Sequence, residues 1–315
     1  MATIAKTQPN SSWSSLQGNT LGLIAPSGYP LEPKSIDLAA KYLSTQGLNV
    51  VAHDSVWAKH ERFAGNDDLR ADAFNDFALG GHDVVMAVRG GYGMSRLLDQ
   101  LKYKKLAKSG SLFMGHSDFT AFQLAYLAKT GQVSFAGPMA CYDFGQSAVS
   151  AYTEQHCWGL LTAPQYEVKV TAPKQPKVNL QGTIWGGNLA LLNHLVGTPY
   201  LPNIKQGILF VEDINEHPYR VERMIYQLLY AGVLDRQQAL LLGDFSDYKL
   251  SAADNGYDFD SMVAHLRERL PMPVLTGLPF GHIRDKLTIP VGATVALKST
   301  PRGYSLNFSN YPYLD

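Results

Sequence analysis

Ser111-Leu112-Phe113-Met114-Gly115-His116-Ser117-Asp118-Phe119-Thr120-Ala121-Phe122-Gln123-Leu124 reads as a buried strand, a tight turn carrying a serine, and the opening of a helix near Phe119. A turn of this kind lifts a hydroxyl out of the sheet end, and the backbone N–H groups that open the helix face any oxyanion formed beside it. Acyl transfer by Ser117 is the chemistry this predicts. The hydrolase pattern G-x-S-x-G is only half present, because Phe119 stands where the second glycine would be. Ser117 could equally be a loop serine that caps the helix, and Asp118 is also a good cap.

The same strand, glycine turn and helix sequence repeats outward from this stretch. Apolar runs occur at Leu21 to Ala25, Val50 to Ala52, Val84 to Val88, Leu112 to Met114 and Val133 to Ala136. Helical segments fall between them, at Lys34 to Gln46, Asp67 to Leu79, Ser95 to Leu101 and Phe119 to Lys129, several closed by glycine. Strands this apolar, alternating with helices, predict an α/β fold whose N-terminal domain is a parallel sheet with helices on both faces. Residues 1–19 read as a disordered extension, 20–166 as the domain bearing the serine, and the Lys- and Pro-rich residues 167–180 as a linker. Residues 181–315 read as a strand-rich, mixed C-terminal domain.

Composition narrows the function. The 315 residues carry 27 basic and 27 acidic side chains, a formal net charge of +0, so nucleic acid and anionic membranes are not expected partners. Neither a signal-peptide core nor a bilayer-length apolar run is visible, and a cytoplasmic location follows as an expectation. Cys141 and Cys157 make neither a disulfide framework nor a metal-ligand spacing, so no metal or other cofactor is expected.

A serine nucleophile needs a base, and the base needs a carboxylate to hold its tautomer. Of nine histidines, His116 adjoins Ser117 too closely to face it, and His194 sits among leucines as a core residue would. His282 follows Gly281 at the end of an apolar segment, where loops carry function. The carboxylates cluster where Ile208-Leu209-Phe210-Val211 runs into Glu212-Asp213-Ile214-Asn215-Glu216. Any of Glu212, Asp213 and Glu216 could orient an imidazole or serve the N-terminus of the helix at Pro218. The run Arg89-Gly90-Gly91-Tyr92-Gly93 lacks the spacing of a dinucleotide or phosphate loop, and suits oxyanion binding or a plain tight turn. Trp185-Gly186-Gly187-Asn188 is a second small-residue turn, which could set Trp185 and Asn188 against a ligand or simply pack.

Together these runs closely resemble the LD-carboxypeptidases, the murein tetrapeptide carboxypeptidases of peptidoglycan recycling. The resemblance rests on LIAPSGYP (23–30), ERFAG (61–65), AVRGGYG (87–93), GHSDFTA (115–121), GPM (137–139), WGGNLALL (185–192), VGTP (196–199), GILFVEDINEHPYRVERM (207–224) and GH (281–282). It implies a triad of Ser117, Glu212 and His282, an oxyanion site at the N–H groups of Gly91 and Asp118, and a homodimer. The implied substrate is a small peptide, a muropeptide whose terminal D-alanine is released from an L-configured centre through an acyl-enzyme. An exopeptidase must also grip a free carboxylate, for which Arg89 and Arg223 are candidates, each equally suited to an ion pair. Two other readings share the scaffold: an immunity peptidase that hydrolyses a peptidyl-nucleotide antibiotic, and a muropeptide sensor without turnover.

Overall fold

The computed structural model describes residues 13–315. In the first half, strands β1 (Thr20–Ile24), β2 (Asn49–Ala52), β3 (Val84–Ala87), β4 (Leu112–Gly115) and β5 (Ser134–Ala136) alternate with α1 (Lys34–Thr45), α2 (Asp67–Asp72), α3 (Tyr103–Ser109) and α4 (Thr120–Thr130), and α5 (Ala151–Leu161) follows. The second half holds β6 (Tyr166–Thr171), β7 (Asn179–Asn188), α6 (Leu189–His194), β8 (Gly207–Ile214), α7 (Pro218–Tyr230), β9 (Gln237–Ser246), α8 (Phe259–Arg269), β10 (Val274–Leu275), β11 (Ile289–Val291), β12 (Thr294–Thr300) and β13 (Gly303–Ser309).

Two sheets result. The first is six-stranded in the order β11-β5-β4-β3-β1-β2, with β1 to β5 parallel and β11 antiparallel at the edge. The chain reverses its winding between β1 and β3, so a crevice opens beyond the carboxyl ends of those strands. The second is seven-stranded in the order β10-β9-β8-β7-β12-β13-β6; β7 to β10 run parallel, while β12, β13 and β6 are antiparallel additions. The expected α/β first half and strand-rich, mixed second half are both present.

Local sequence explains the elements that matter for the site. Ile36, Ala39 and Leu43 put one apolar stripe of α1 into the core. Helix α4 has no polar face over its first two turns: every residue from Thr120 to Leu127 is buried. It packs against β5 and α3 of the first half and against β7, α6 and β11 of the second. A single apolar core therefore runs through both sheets, with the helix that follows Ser117 at its centre. Gly131, at φ 69°, ends α4 by donating its N–H to the Leu127 carbonyl at 2.9 Å.

Several expectations change. Of the segment read as a disordered extension, residues 1–12 lie outside the described residues, but Ser14–Leu16 form a 3-10 turn and Leu16 is buried. The segment read as a linker carries β6, in which Val168 and Val170 face the core while Glu167 and Lys169 face solvent. An edge strand exposing lysine is a common way to block further strand pairing, and its Lys content is what disguised it. β11 crosses back to extend the first sheet; Pro290 is tolerated there because the strand is an edge. The helix expected over Ser95 to Leu101 is only a 3-10 turn, Met94–Arg96, because other side chains take its backbone groups. Met94 N–H donates to Asp118 at 2.8 Å, and the Gln100 carbonyl accepts from Asn75 at 2.9 Å. Asp67 to Leu79 splits into α2 and a wider π turn, Ala73–Phe77.

Candidate active site

Ser117 leaves the end of β4 with φ 62°, a left-handed backbone that costs a non-glycine residue on the order of 1–3 kcal/mol. The 3-10 turn Ser117–Phe119 then runs straight into α4. The loop after β3 crosses directly beside the serine. A Cβ on Gly90 would lie 2.7 Å from Ser117 Cβ and 2.8 Å from its Oγ, so that position admits only glycine. Gly91 follows at φ 105°, beside Gly28, and Gly28 N–H donates to the Gly90 carbonyl at 3.1 Å. The Asp118 backbone nitrogen lies on the same side, 3.5 Å from where a Gly90 Cβ would be.

The Asp118 side chain points away from this space and ties the loops together. Its Oδ2 accepts the Ser27 hydroxyl at 2.6 Å and the Met94 N–H at 2.8 Å, which links the turns after β1, β3 and β4. Burial pushes its carboxyl up, against the opposing pull of Ser27, Met94 and the Arg70 guanidinium. Fully buried Arg70 itself binds the carbonyls of Pro26 at 2.6 Å and Gly93 at 3.0 Å, and pairs with Asp67. Sequence reasoning assigned no role to Ser27 or Arg70; the Pro-Ser-Gly turn after β1 was the available signal for Ser27.

His282 comes from the second half and meets the serine. Its Nε2 lies 3.0 Å from Ser117 Oγ, and its Nδ1 lies 2.8 Å from Glu212 Oε2. A carboxylate only accepts, so Nδ1 carries the proton and donates to Glu212, which leaves Nε2 free to accept the Ser117 hydroxyl. Burial alone would lower the His282 pKa, but the hydrogen bond and charge of Glu212 outweigh it and raise it above the ordinary 6.5. His282 keeps 17 % of its side chain exposed while Glu212 keeps none, so solvent does not screen the carboxylate. Behind the ring, His116 is buried and gives its Nδ1–H to the Gly137 carbonyl at 2.9 Å. Burial, Lys286 and His282 hold its pKa well below the ordinary value, so it stays neutral.

The open choice among the acidic residues is resolved by geometry. Glu212 alone reaches His282. Asp213 accepts the Ala190 N–H of α6 at 2.9 Å, and burial, then the Glu212 charge, push it up to about 6. Glu216 pairs with Arg220 at 3.7 Å. A bulge between Val211 and Asp213 sets the two neighbouring carboxylates on different tasks.

The remaining candidates divide. Arg89 stands beside Gly90, half-buried, with Nη1 on the Tyr29 carbonyl at 2.6 Å. Arg223 is exposed on α7 and joins none of these hydrogen bonds. Trp185 and Asn188, each open in sequence to ligand contact or packing, are both packed. Trp185 is fully buried with its indole N–H on Gln237 at 2.8 Å, so it offers a ligand no surface. Asn188 is 4 % exposed and gives its amide to Glu212 at 3.2 Å and Asp213 at 2.9 Å, which fixes the carboxylates rather than a ligand. His194, expected in the core, is exposed. Cys141 and Cys157 are buried free thiols. Among the described residues no group of three His, Cys, Asp or Glu is arranged to hold a metal ion, and no helix is long and apolar enough to cross a membrane.

This arrangement has relatives. Residues 21–137 match the model of the LD-carboxypeptidase N-terminal domain, and residues 181–297 match that of the C-terminal domain. The chain is 30 % identical over 292 residues to the probable murein peptide carboxypeptidase of Bacillus subtilis (strain 168), spanning 91 % of each protein. The microcin C7 self-immunity protein of Escherichia coli is 25 % identical over 299 residues, covering 84 % of this chain and 86 % of that one. In structure, the muramoyltetrapeptide carboxypeptidase from Oxalobacter formigenes superposes with a TM-score of 0.88 at 47 % identity, over 93 % of this chain and all of that one. On two family domains matched in order across most of its length, the chain belongs to the LD-carboxypeptidase family of serine peptidases.

Proposed function

We propose that the protein removes the terminal D-alanine from murein tetrapeptides by a Ser117-Glu212-His282 triad and an acyl-enzyme, in peptidoglycan recycling. The observation that carries the reading is the unbroken path from Glu212 through His282 to Ser117, at 2.8 and 3.0 Å. In the first step Ser117 Oγ attacks the carbonyl carbon of the scissile bond while His282 Nε2 takes the hydroxyl proton. Charge develops on the carbonyl oxygen, and the N–H groups of Gly91 and Asp118 receive it. Such donors are worth about 3–4 kcal/mol each in comparable enzymes. The imidazolium passes its proton to the departing amine, D-alanine leaves, and an ester to Ser117 remains. Water, deprotonated by the same His282, hydrolyses the ester and restores the hydroxyl.

Removing a single terminal residue demands recognition of a free carboxylate. Arg89 suits this role: it adjoins Gly90, and the Tyr29 carbonyl that fixes it is neutral, so that contact leaves its charge uncompensated. The resemblance also implies a homodimer, which this proposal adopts together with the cytoplasmic location expected from the sequence; light scattering on the purified chain reads the dimer directly.

The following outcomes test the proposal. Ser117→Ala should stop D-alanine release from tetrapeptide by about four orders of magnitude or more; undiminished release would refute it. The same assay run with a peptidyl-nucleotide conjugate separates the immunity reading, which predicts preference for the conjugate, and calorimetric binding without product would mark a sensor. The acidic limb of the pH profile of kcat/KM should have its midpoint above the ordinary histidine value, because only neutral His282 can take the proton. Glu212→Gln removes the raising influence and leaves burial, so the midpoint should fall while kcat drops by roughly 10³–10⁴-fold. A limb that stays in place would separate Glu212 from His282. Lastly, Arg89→Ala should raise KM for tetrapeptide by about 10- to 100-fold, in line with the loss of a charged pair, whereas Arg223→Ala should leave KM alone. The reverse pattern would move the carboxylate site to α7.

A further inference from the structure

Three consecutive residues just beyond His282 are each held by a residue of the first half. The Thr153 hydroxyl donates to the Arg284 carbonyl at 2.7 Å and its oxygen accepts the Lys286 N–H at 3.0 Å. The Ser150 hydroxyl, which also caps α5, donates to Asp285 Oδ1 at 2.6 Å. Lys286 is fully buried, with its ammonium 2.8 Å from Asp143 Oδ1 and 4.7 Å from the centre of the Tyr142 ring. The other oxygen of Asp143 accepts the Met139 N–H at 2.7 Å. The loop is closed at its base by Leu287 N–H on the Pro279 carbonyl at 2.8 Å.

A buried ion pair is a weak source of stability, because desolvating both charges offsets most of their attraction. Its placement here gives it another use. Asp143, Ser150 and Thr153 follow β5, the strand beside the one that leads to Ser117, and the loop they grip carries His282 at its tip. We infer that the Asp143–Lys286 pair and Thr153 are positioning residues that hold the 282–286 loop so that His282 Nε2 stays within hydrogen-bond reach of Ser117 Oγ. The inference rests on the proposed triad. The contact they protect is 3.0 Å long, and a displacement of about 1 Å in such a contact can cost 10²-fold in rate.

The pair also sets the charge behind the base. His282 faces Glu212 and Asp213 from β8, Asp244 from β9, His116 from the turn after β4, Asp143 from the turn after β5, and Lys286 from its own loop. Lys286 disfavours the imidazolium and Asp143 favours it.

Thr153→Ala deletes two of the hydroxyl contacts without burying a lone charge, so it tests the positioning with a protein that should fold. Its kcat for tetrapeptide should fall by about 10- to 100-fold with KM within about threefold, and Thr153→Ser, which keeps the hydroxyl, should restore it. Lys286→Met should move the acidic limb of kcat/KM to higher pH, and Asp143→Asn should move it to lower pH. Wild-type kcat in Thr153→Ala, failure of Thr153→Ser to restore a lost kcat, or unmoved limbs in folded charge variants would each overturn the inference. Should the charge variants not fold, the two Thr153 variants decide it. Ser117→Ala run alongside separates the two levels: full activity there sinks the triad, whereas an inactive Ser117→Ala beside an unimpaired Thr153→Ala sinks only the positioning role.

Discussion

The hydrogen bond between His282 Nε2 and Ser117 Oγ joins groups 165 residues apart in the chain, and much of the fold can be understood as holding its two ends still. The serine end is fixed by a strained turn between a buried strand and a helix whose first two turns are buried on every side. The histidine end hangs from a loop whose base closes on itself and whose flank is gripped by the first half. Between them, α4 packs on both sheets and β11 carries the second half across to pair with β5. The two halves share one core, so the loop meets the serine across a packed interior rather than across an open hinge.

Electrostatics supports the same contact. Glu212 is buried without exposure, accepts the His282 Nδ1–H on one oxygen and the Asn188 amide N–H on the other, and so has its charge both aimed and satisfied. Asp213, next in sequence, is occupied by the N-terminus of α6 and does not compete. His116 stays neutral against the His282 ring, with centroids 5.3 Å apart, so it supports the ring without adding a second positive charge.

The parts of this arrangement that were legible in sequence are those encoded locally. The strand–turn–helix around Ser117 and the alternation of apolar runs and glycine stops follow from short-range backbone chemistry, whereas the need for glycine at position 90 comes from a contact between two loops. Choosing Glu212 over Asp213 and Glu216 required either family resemblance or the bulge in β8, since neighbouring carboxylates look alike without a register. The choice between ligand contact and packing at Trp185 and Asn188 was open in sequence for a related reason. The Gly-Gly between them resembles a ligand loop, yet Gly186 is strand backbone pressed against β8, where a Cβ would fall 1.8 Å from the Phe210 carbonyl. The β6 strand was hidden by its exposed Glu167 and Lys169 and by the Lys- and Pro-rich residues that follow it. The grip on the histidine loop was invisible, because Asp143, Ser150 and Thr153 lie more than 130 residues from their partners, a distance no pattern of spacing spans.

The most direct test is covalent. The protein is treated with a serine-reactive phosphonate, the modified peptide is identified by mass spectrometry, and the labelling rate is followed against pH. A triad assembled from both halves predicts one adduct, on Ser117, forming with the titration of His282 and lost in His282→Ala. An adduct on another serine, or Ser117 labelling that proceeds equally well without His282, would contradict it.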